Sequence, residues 1–471
     1  MLIQEIAAKV AAGEILAVDL VKESLHKAKE CESYHTLVSL TEQRALARAI
    51  EIDSMVARGE KVGVLAGVPF INKDNILAFD GATTASSHML ERFNPPIQAT
   101  VVERLEKAGA ICIGKSNLDS FAHGSSTENS AFGPSKNAID PEYVPGGSSG
   151  GSASAVALGI APFALGTDTG GSIRQPASFN GVVGVKPTYG LISRFGAVAM
   201  SSSTDTIGCF AKNVSDVDLV LSVMSGKDQR DMTTFDSSYL AGRELDGKPK
   251  IAVVKQFVGD GIDDEVLDLT KQAIEKIKSA GYEVGEVDIP ELKYALAIYY
   301  VVVSAEVASN LNRYDGVRYG FRSNEAEALD QVYQLSRSGG FETENKRRIM
   351  IGNYVLSSGY YDAYYLKAQK VRTLMIRALR RALTDYDFLL GAVAPTSAFK
   401  FGANTDDPLK MYMQDVLTTP ANLVGVPAIS LPSGAISNGL PVGLQIMSNL
   451  GRDDELMAFA KLVENELKET N

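Results

Sequence analysis

The segment Leu165-Gly166-Thr167-Asp168-Thr169-Gly170-Gly171-Ser172-Ile173-Arg174-Gln175-Pro176 gathers reactive side chains and permissive backbone in one short stretch. An apolar strand stops at Gly166, a tight turn follows, and Ser172 precedes a helix. Successive N–H groups of such a turn can point one way and stabilise a developing oxyanion. Ser172 would then be a nucleophile. The same residues also suit a structural role, because Ser172 with Gln175 reads as a capping box at a helix N-terminus. The residues alone leave both readings open.

A serine nucleophile needs a base. Gly146-Gly147-Ser148-Ser149-Gly150 fits the nucleophile-elbow pattern GxSxG, which requires a histidine downstream of the serine. The four histidines, His26, His35, His88 and His123, all lie upstream. That excludes the elbow. A histidine-first order stays formally open, with nothing around these residues to support it. Lysine is the other candidate base, when burial or a positive neighbourhood lowers its pKa. SxxK spacing occurs at Ser24–Lys27 and Ser397–Lys400, but neither has the companion motifs of penicillin-recognising enzymes. Gly109 to Ser116 matches the phosphate loop GxxxxGK[ST]. Its variable positions, Ala110-Ile111-Cys112-Ile113, read as a strand rather than a turn, and a helix precedes them. Gly109 is then a helix-terminating glycine and no nucleotide is expected there.

The elements that position these residues alternate in type. Two helices are expected within 2–30, a strand at Thr36–Leu40, helices near 41–58 and 98–108, and a strand at Ala110–Ile113. Residues 63–74 read as an apolar strand with a polar end. Residues 124–208 are dense in Gly, Ser and Thr but broken by the apolar runs Ala153–Leu158 and Phe163–Leu165, which a flexible linker lacks. They form a buried centre where backbone approaches backbone. Strands at Ile251–Val254 and Glu283–Val287 flank a helix at 264–279, and 290–385 is mainly helical. Strand Phe388–Ala392, helix 411–424, strands Ala428–Leu431 and Val442–Met447 and a terminal helix complete the chain. This is an α/β pattern. One domain over 1–471 is expected, with a helical elaboration in its C-terminal half.

The 471 residues carry a net charge of −11, which disfavours autonomous nucleic-acid binding. Cys31, Cys112 and Cys209 are far apart and form no CxxC pair, so neither a disulfide scaffold nor a zinc site is expected. That usage and the non-basic start, Met1 to Glu5, lead one to expect a cytoplasmic protein without a signal peptide. No apolar run reads as long enough to span a bilayer.

The stretches Gly146–Ser152, Gly166–Pro176 and Gly184-Val185-Lys186-Pro187-Thr188-Tyr189-Gly190 together resemble the signature of the amidase signature family. Gly67–Asn75 resembles its upstream lysine motif, and the likeness runs through essentially the whole chain. The resemblance implies a large mixed central β-sheet covered by helices on both faces. It implies a triad of Lys73 as base, Ser148 as bridging serine in a cis conformation, and Ser172 as nucleophile. The oxyanion hole would be built at Thr169, Gly170, Gly171 and Ser172, and no metal is implied.

Further segments resemble the branch of this family that supplies ammonia to tRNA-dependent amidotransferases. They are Phe121–Ser130, Lys346–Met350, Leu356–Tyr365 and Met411–Asp415. Position 123 departs from it, carrying His where Met is expected in many relatives. The branch implies L-glutamine as substrate, with Arg348 on its α-carboxylate, Asp415 on its α-ammonium, and Tyr299, Gly124 and Ser125 nearby. A free amino acid carries both charges, so this pairing is chemically sensible. The branch also implies two partners, the B and C subunits of the amidotransferase heterotrimer. The first would hold the misacylated tRNA and use ATP and Mg, and the second would brace the pair. This chain would need no cofactor. The alternatives are a stand-alone amidase for another small amide, a non-catalytic scaffold protein, and a nucleotide-binding protein.

Overall fold

The computed structural model describes residues 1–236, 239, 242–245 and 247–468. Its strands are β1 (Leu37–Leu40), β2 (Pro69–Lys73), β3 (Ile111–Ser116), β4 (Phe163–Asp168), β5 (Val183–Lys186), β6 (Thr206–Ala211), β7 (Ile251–Val254), β8 (Val284–Val287), β9 (Phe388–Ala392), β10 (Ala428–Ala435) and β11 (Pro441–Ser448). They form one 11-stranded sheet in the order β1-β3-β2-β4-β6-β5-β10-β11-β9-β7-β8. Two parallel blocks, β3-β2-β4 and β9-β7-β8, are joined through antiparallel pairs, so the sheet is mixed.

Alternation along the strands builds the core. Phe70, Phe163, Leu165, Val185, Ile207, Val253, Leu390, Ile429 and Leu444 face one continuous layer. The intervening residues face the opposite side, which divides in two. Ile71, Ile113, Ala164 and Phe210 pack beneath the N-terminal helices, and Ala252, Leu389, Ala428 and Met447 beneath the C-terminal ones. This period of two on a doubly covered sheet is the signature of an α/β core. The helices on its two faces agree with the sequence expectation.

The glycine-rich centre is as close-packed as its composition requires. Ala153–Leu158 lies largely within a helix, Gly150–Ala157. A Cβ on Gly151 would sit 2.5 Å from the carbonyl oxygens of both Asn117 and Thr36. The phosphate-loop look-alike is strand β3, entered from the helix Thr100–Lys107 through Gly109 at φ +97°. Its Lys115 donates to the carbonyls of Ala78, Gly81 and Ala82 at 2.8–3.1 Å, so it plugs a loop instead of reaching a phosphate.

Two expectations need correcting. The helix expected over 411–424 is two short ones, Pro408–Met413 and Thr419–Val424. Pro420 belongs in the first turn of the second, where no N–H is missed, and it cannot sit mid-helix. The break holds Asp415 and Thr418. The helical stretch Pro290–Arg313 is long and apolar enough by composition to cross a membrane, contrary to the sequence reading. Here Tyr299, Val302, Val303 and Val307 are buried in the protein core.

The helices Ala295–Asn310 and Thr343–Leu356 pack directly together. Gly352 makes this possible, because its Cβ would lie 2.0 Å from the Ser304 carbonyl oxygen. Gly352→Ala should therefore destabilise the protein by about 1–3 kcal/mol through overpacking. Denaturant unfolding checks this; an unchanged midpoint would refute the close-packing account.

Candidate active site

Lys73 ends β2 and Asp168 ends the parallel neighbour β4, so both emerge at the carboxyl edge of the sheet, where α/β folds place their ligands. Lys73 is fully buried. Its Nζ lies 2.9 Å from Ser148 Oγ, 2.7 Å from Ser149 Oγ and 2.8 Å from Thr167 Oγ1. Desolvation pulls its pKa down to about 7, against the opposing charges of Asp119, Asp168 and Asp205. Ser148 follows a cis Gly147–Ser148 peptide bond, as the resemblance implies.

The hydroxyls around Lys73 suit both of its charge states. An ammonium has three donors for three hydroxyls. A neutral amine keeps two donors and gains a lone pair, so one contact must reverse. Ser149 Oγ already donates to the Thr167 carbonyl at 3.2 Å, and Thr167 Oγ1 already accepts from Asn75 Nδ2 at 3.0 Å. Among the described residues Ser148 Oγ has no other partner and Thr167 Oγ1 only accepts, so the protons of both hydroxyls, that of Ser148 among them, are free to turn toward the amine. That is the polarity a relay from a nucleophile to Lys73 requires.

Ser172 is 8% exposed, and among the described residues its hydroxyl has no hydrogen-bond partner. Its carbonyl accepts from Ser149 N–H at 3.2 Å, tying it to the segment that carries Ser148. The capping-box reading of Ser172 fails. Gln175 Oε1 instead accepts from Gly147 N–H at 2.9 Å, while its Nε2 donates to the Ser125 carbonyl at 2.9 Å. Gln175 thus clamps the cis segment.

The N–H groups of Thr169, Gly170, Gly171 and Ser172 donate to no acceptor among the described residues. Free N–H groups on successive residues can take an oxyanion. The loop is held from all sides. Thr169 Oγ1 donates to Asp205 at 2.8 Å, and Thr418 Oγ1 donates to the Gly170 carbonyl at 2.6 Å. Gly171 has φ +148°, and a Cβ there would lie 2.2 Å from Thr418 Oγ1. The Tyr299 ring packs so close to Gly170 that a Cβ would lie 2.6 Å from its hydroxyl.

Next to this centre lies a cavity of about 280 Å³ whose lining includes Asp119, His123, Gly124, Ser125, Glu344, Arg348 and Tyr412. Asp119 joins it to the triad: its N–H donates to the Ser148 carbonyl at 3.3 Å. A Cβ on Gly147 would meet its carboxylate at 2.1 Å. Arg348 is buried, with Nε donating to Glu344 at 2.8 Å and its guanidinium 4.7 Å from the Tyr300 ring centre and 5.1 Å from that of Tyr412. Its NH1 atom is buried without a partner. Asp415 Oδ2 accepts from Ser125 Oγ at 2.7 Å, and Oδ1 is buried without a partner. Burial raises the Asp415 carboxyl to about 7. The sequence-expected residues therefore fall into two touching groups. Tyr299 belongs with the Ser172 loop, and its neighbour Tyr300 lies against Arg348.

Sequence reasoning missed the groups that hold these residues: Ser149, Thr167 and Asn75 around Lys73, Gln175 and Asp119 around the cis segment, and Thr418 behind Gly171. Ser149, Thr167 and Gln175 had a signal by lying within the signature stretches and Asn75 by ending the lysine motif; Asp119 and Thr418 had none. Among the described residues no cluster of three or more His, Cys, Asp or Glu side chains is arranged to hold a metal ion.

Arg174 is the hub of the loop. It is fully buried, pairs with Asp168 through Nε and NH2 at 3.0 Å each, and donates to Asn422, Gln445 and the Thr418 carbonyl. Burial works to raise the Asp168 carboxyl; the Arg174 charge and hydrogen bonds outweigh it and hold it at about 2, below its ordinary 3.8. Asp168→Asn leaves Arg174 buried and unpaired and should cost about 3–5 kcal/mol at neutral pH. A lowered pKa contributes stability above the ordinary value and loses it below. The gap between wild type and variant should therefore narrow as pH falls from about 4 toward 2. Denaturant unfolding across that range checks it; a pH-independent gap would remove the ion pair as its cause.

The profile of the Amidase family matches residues 19–457. The A subunit of glutamyl-tRNA(Gln) amidotransferase from Cyanothece sp. is 48% identical over 464 residues, covering 97% of this chain and 96% of that protein. The protein of the same name from Gloeobacter violaceus is 48% identical, with 97% and 95% covered. The crystal structure of the A subunit of glutamyl-tRNA(Gln) amidotransferase from Thermotoga maritima superposes with a TM-score of 0.79 at 38% identity, covering 95% of this chain and 91% of that one. With a family profile across most of its length and relatives of near-equal length at this identity, the chain belongs to the amidase family.

Proposed function

We propose that the chain is the glutamine-hydrolysing component of a tRNA-dependent amidotransferase. The observation that carries this reading is the pair of buried, unpartnered charged atoms, Arg348 NH1 and Asp415 Oδ1, beside a lysine–serine centre. A cation on the cavity wall and an anion bonded to the cavity-lining Ser125 match the carboxylate and ammonium of a free amino acid. The names of the relatives supply the acceptor side of the reaction.

In this mechanism neutral Lys73 accepts the Ser148 proton while Ser148 takes the proton of Ser172. Ser172 Oγ attacks the side-chain carboxamide carbon, and the oxyanion meets the N–H groups of Thr169 to Ser172. The C–N bond breaks as the proton returns through Ser148 to nitrogen, and ammonia leaves. Water, activated by the same relay, then cleaves the acyl ester to glutamate. Tyr299, Gly124 and Ser125 shape the passage between the charged end and the nucleophile. Ammonia passes to the B subunit, which binds Glu-tRNA(Gln) and uses ATP and Mg. The C subunit completes a cytoplasmic heterotrimer.

Two experiments test this reading. Ammonia release from L-glutamine, with the presumed B and C subunits present, should fall at least a thousandfold in Ser172→Ala, as expected for loss of a covalent nucleophile. Charge reversal by Asp415→Lys should damage glutamine use specifically. Serine-dependent ammonia release from neutral amides but not from glutamine would make the chain a stand-alone amidase.

The pH profile tests the base. Lys73 acts as its neutral amine, so kcat/KM should fall about tenfold per unit below about pH 7. Asp415 protonates in the same range, so the profile is repeated with Asp415→Asn, where the Lys73 limb should persist. A flat profile from pH 6 to 8 in that variant would remove Lys73 as the base.

A further inference from the structure

His123 is fully buried, and it lines the same cavity as Arg348. Its Nδ1 lies 2.6 Å from Asn345 Nδ2, and its Nε2 is buried without a partner.

The position of its proton follows from Asn345. Asn345 Oδ1 accepts from the Glu342 N–H at 3.2 Å, a group that can only donate. Asn345 Nδ2 donates to the Ser120 carbonyl at 2.9 Å, a group that can only accept. These two bonds hold together in one orientation of the amide. The group facing His123 Nδ1 is therefore an N–H, and Nδ1 accepts. Burial first, and the Arg348 charge second, keep the imidazole neutral, with its pKa well below the ordinary value. A neutral ring that accepts at Nδ1 carries its hydrogen on Nε2.

Two residues that line the cavity thus carry buried donors without acceptors, His123 Nε2–H and Arg348 NH1. A buried donor left unpaired is costly, and a histidine placed only for packing gains nothing from that arrangement. Two such donors on residues of one cavity suit a carboxylate, which has acceptor sites for both.

We propose that His123 is a further substrate-binding residue, donating Nε2–H to the carboxylate that Arg348 also holds. Asn345 is its positioning residue, selecting the tautomer. The inference rests on the glutamine reading above, because that reading supplies the carboxylate. It also gives the histidine a chemical role that a methionine at this position, with no N–H, lacks.

The test compares His123→Met and His123→Gln with wild type, using L-glutamine and its α-methyl ester, which carries no carboxylate. Ammonia release is measured with the partner subunits present. His123→Met should lower kcat/KM for glutamine about 10- to 100-fold, the usual effect of losing a hydrogen bond to a charged group, with the loss falling on KM. It should lower kcat/KM for the ester less than twofold. His123→Gln, which retains an N–H, should recover most of the glutamine loss. Equal losses on both substrates, or no loss on glutamine, would overturn the role of His123 and leave the glutamine reading intact. Wild type showing no Ser172-dependent release from glutamine would overturn the reading itself and this inference with it. Should the variants not fold, ¹⁵N-histidine NMR of the full-length Ser172→Ala chain decides. The expected result is a neutral, Nε2-protonated His123 whose Nε2 signal moves on adding glutamine; an Nδ1-protonated ring, or no movement at saturation, overturns the proposal.

Discussion

The site depends on Lys73 being taken out of water without being given an ion-pair partner. A buried lysine beside a free carboxylate would remain an ammonium and be useless as a base. Three aspartates are near enough to act on it, and each is engaged elsewhere. Asp168 is paired with Arg174. Asp119 accepts from the Thr127 and Asn129 N–H groups, and Asp205 from Thr169 Oγ1 and the N–H groups of Met200 and Ser201. What touches Nζ directly is hydroxyl and carbonyl oxygen. Desolvation therefore outweighs the distant negative charges, and the amine reaches the range where it can exchange a proton near neutrality.

The same aspartates also build the loop that would receive the oxyanion, so electrostatics and shape are not separable here. Asp168 anchors Arg174, and Arg174 reaches strand β11 through Gln445 and the second short helix through Asn422. Thr418, just before that helix, closes on Gly170 and Gly171. A row of N–H groups without acceptors is unfavourable in a folded chain and tends to collapse onto any nearby carbonyl. Rigid support on both sides prevents that collapse. The cost is met by a network drawn from four parts of the sequence.

This division explains what could be read from sequence. The alternating sheet pattern was legible because a two-faced core imposes a period of two on each strand, and β7 and β9 emerge with the bounds expected. β5 and β6 were not singled out, because Gly184 and Gly208 replace side chains where backbones meet, and the pattern fades there. Ser172 stood out from its own segment as a nucleophile or a cap, whereas Ser148 and Lys73 were legible only through resemblance. Nothing in the local sequence at Lys73 distinguishes a buried base from a solvated strand end. The supporting residues were not legible at all where they came from far away. Thr418 lay inside what read as one helix, and the break that frees it follows from Pro420; Asp415, in the same stretch, was named only through resemblance. Departures from regular structure fall where the site is, as expected when local preference yields to a geometric requirement.

The cavity also carries a consequence for selectivity. Arg348 NH1, Asp415 Oδ1 and His123 Nε2 are all buried without partners. Each prefers water to that condition, so the site holds unrealised hydrogen bonds. A ligand that satisfies all three recovers them together, whereas one lacking a single charged group leaves a buried orphan behind. Discrimination by an unpaired polar group is much steeper than discrimination by lost apolar contact, often by orders of magnitude. The burial that lowers the pKa of Lys73 and the burial that leaves these polar atoms unpaired are the same exclusion of water. Under the proposed function, this favours small carboxamides with both amino-acid charges over the neutral amides that an amidase centre's chemistry alone would accept.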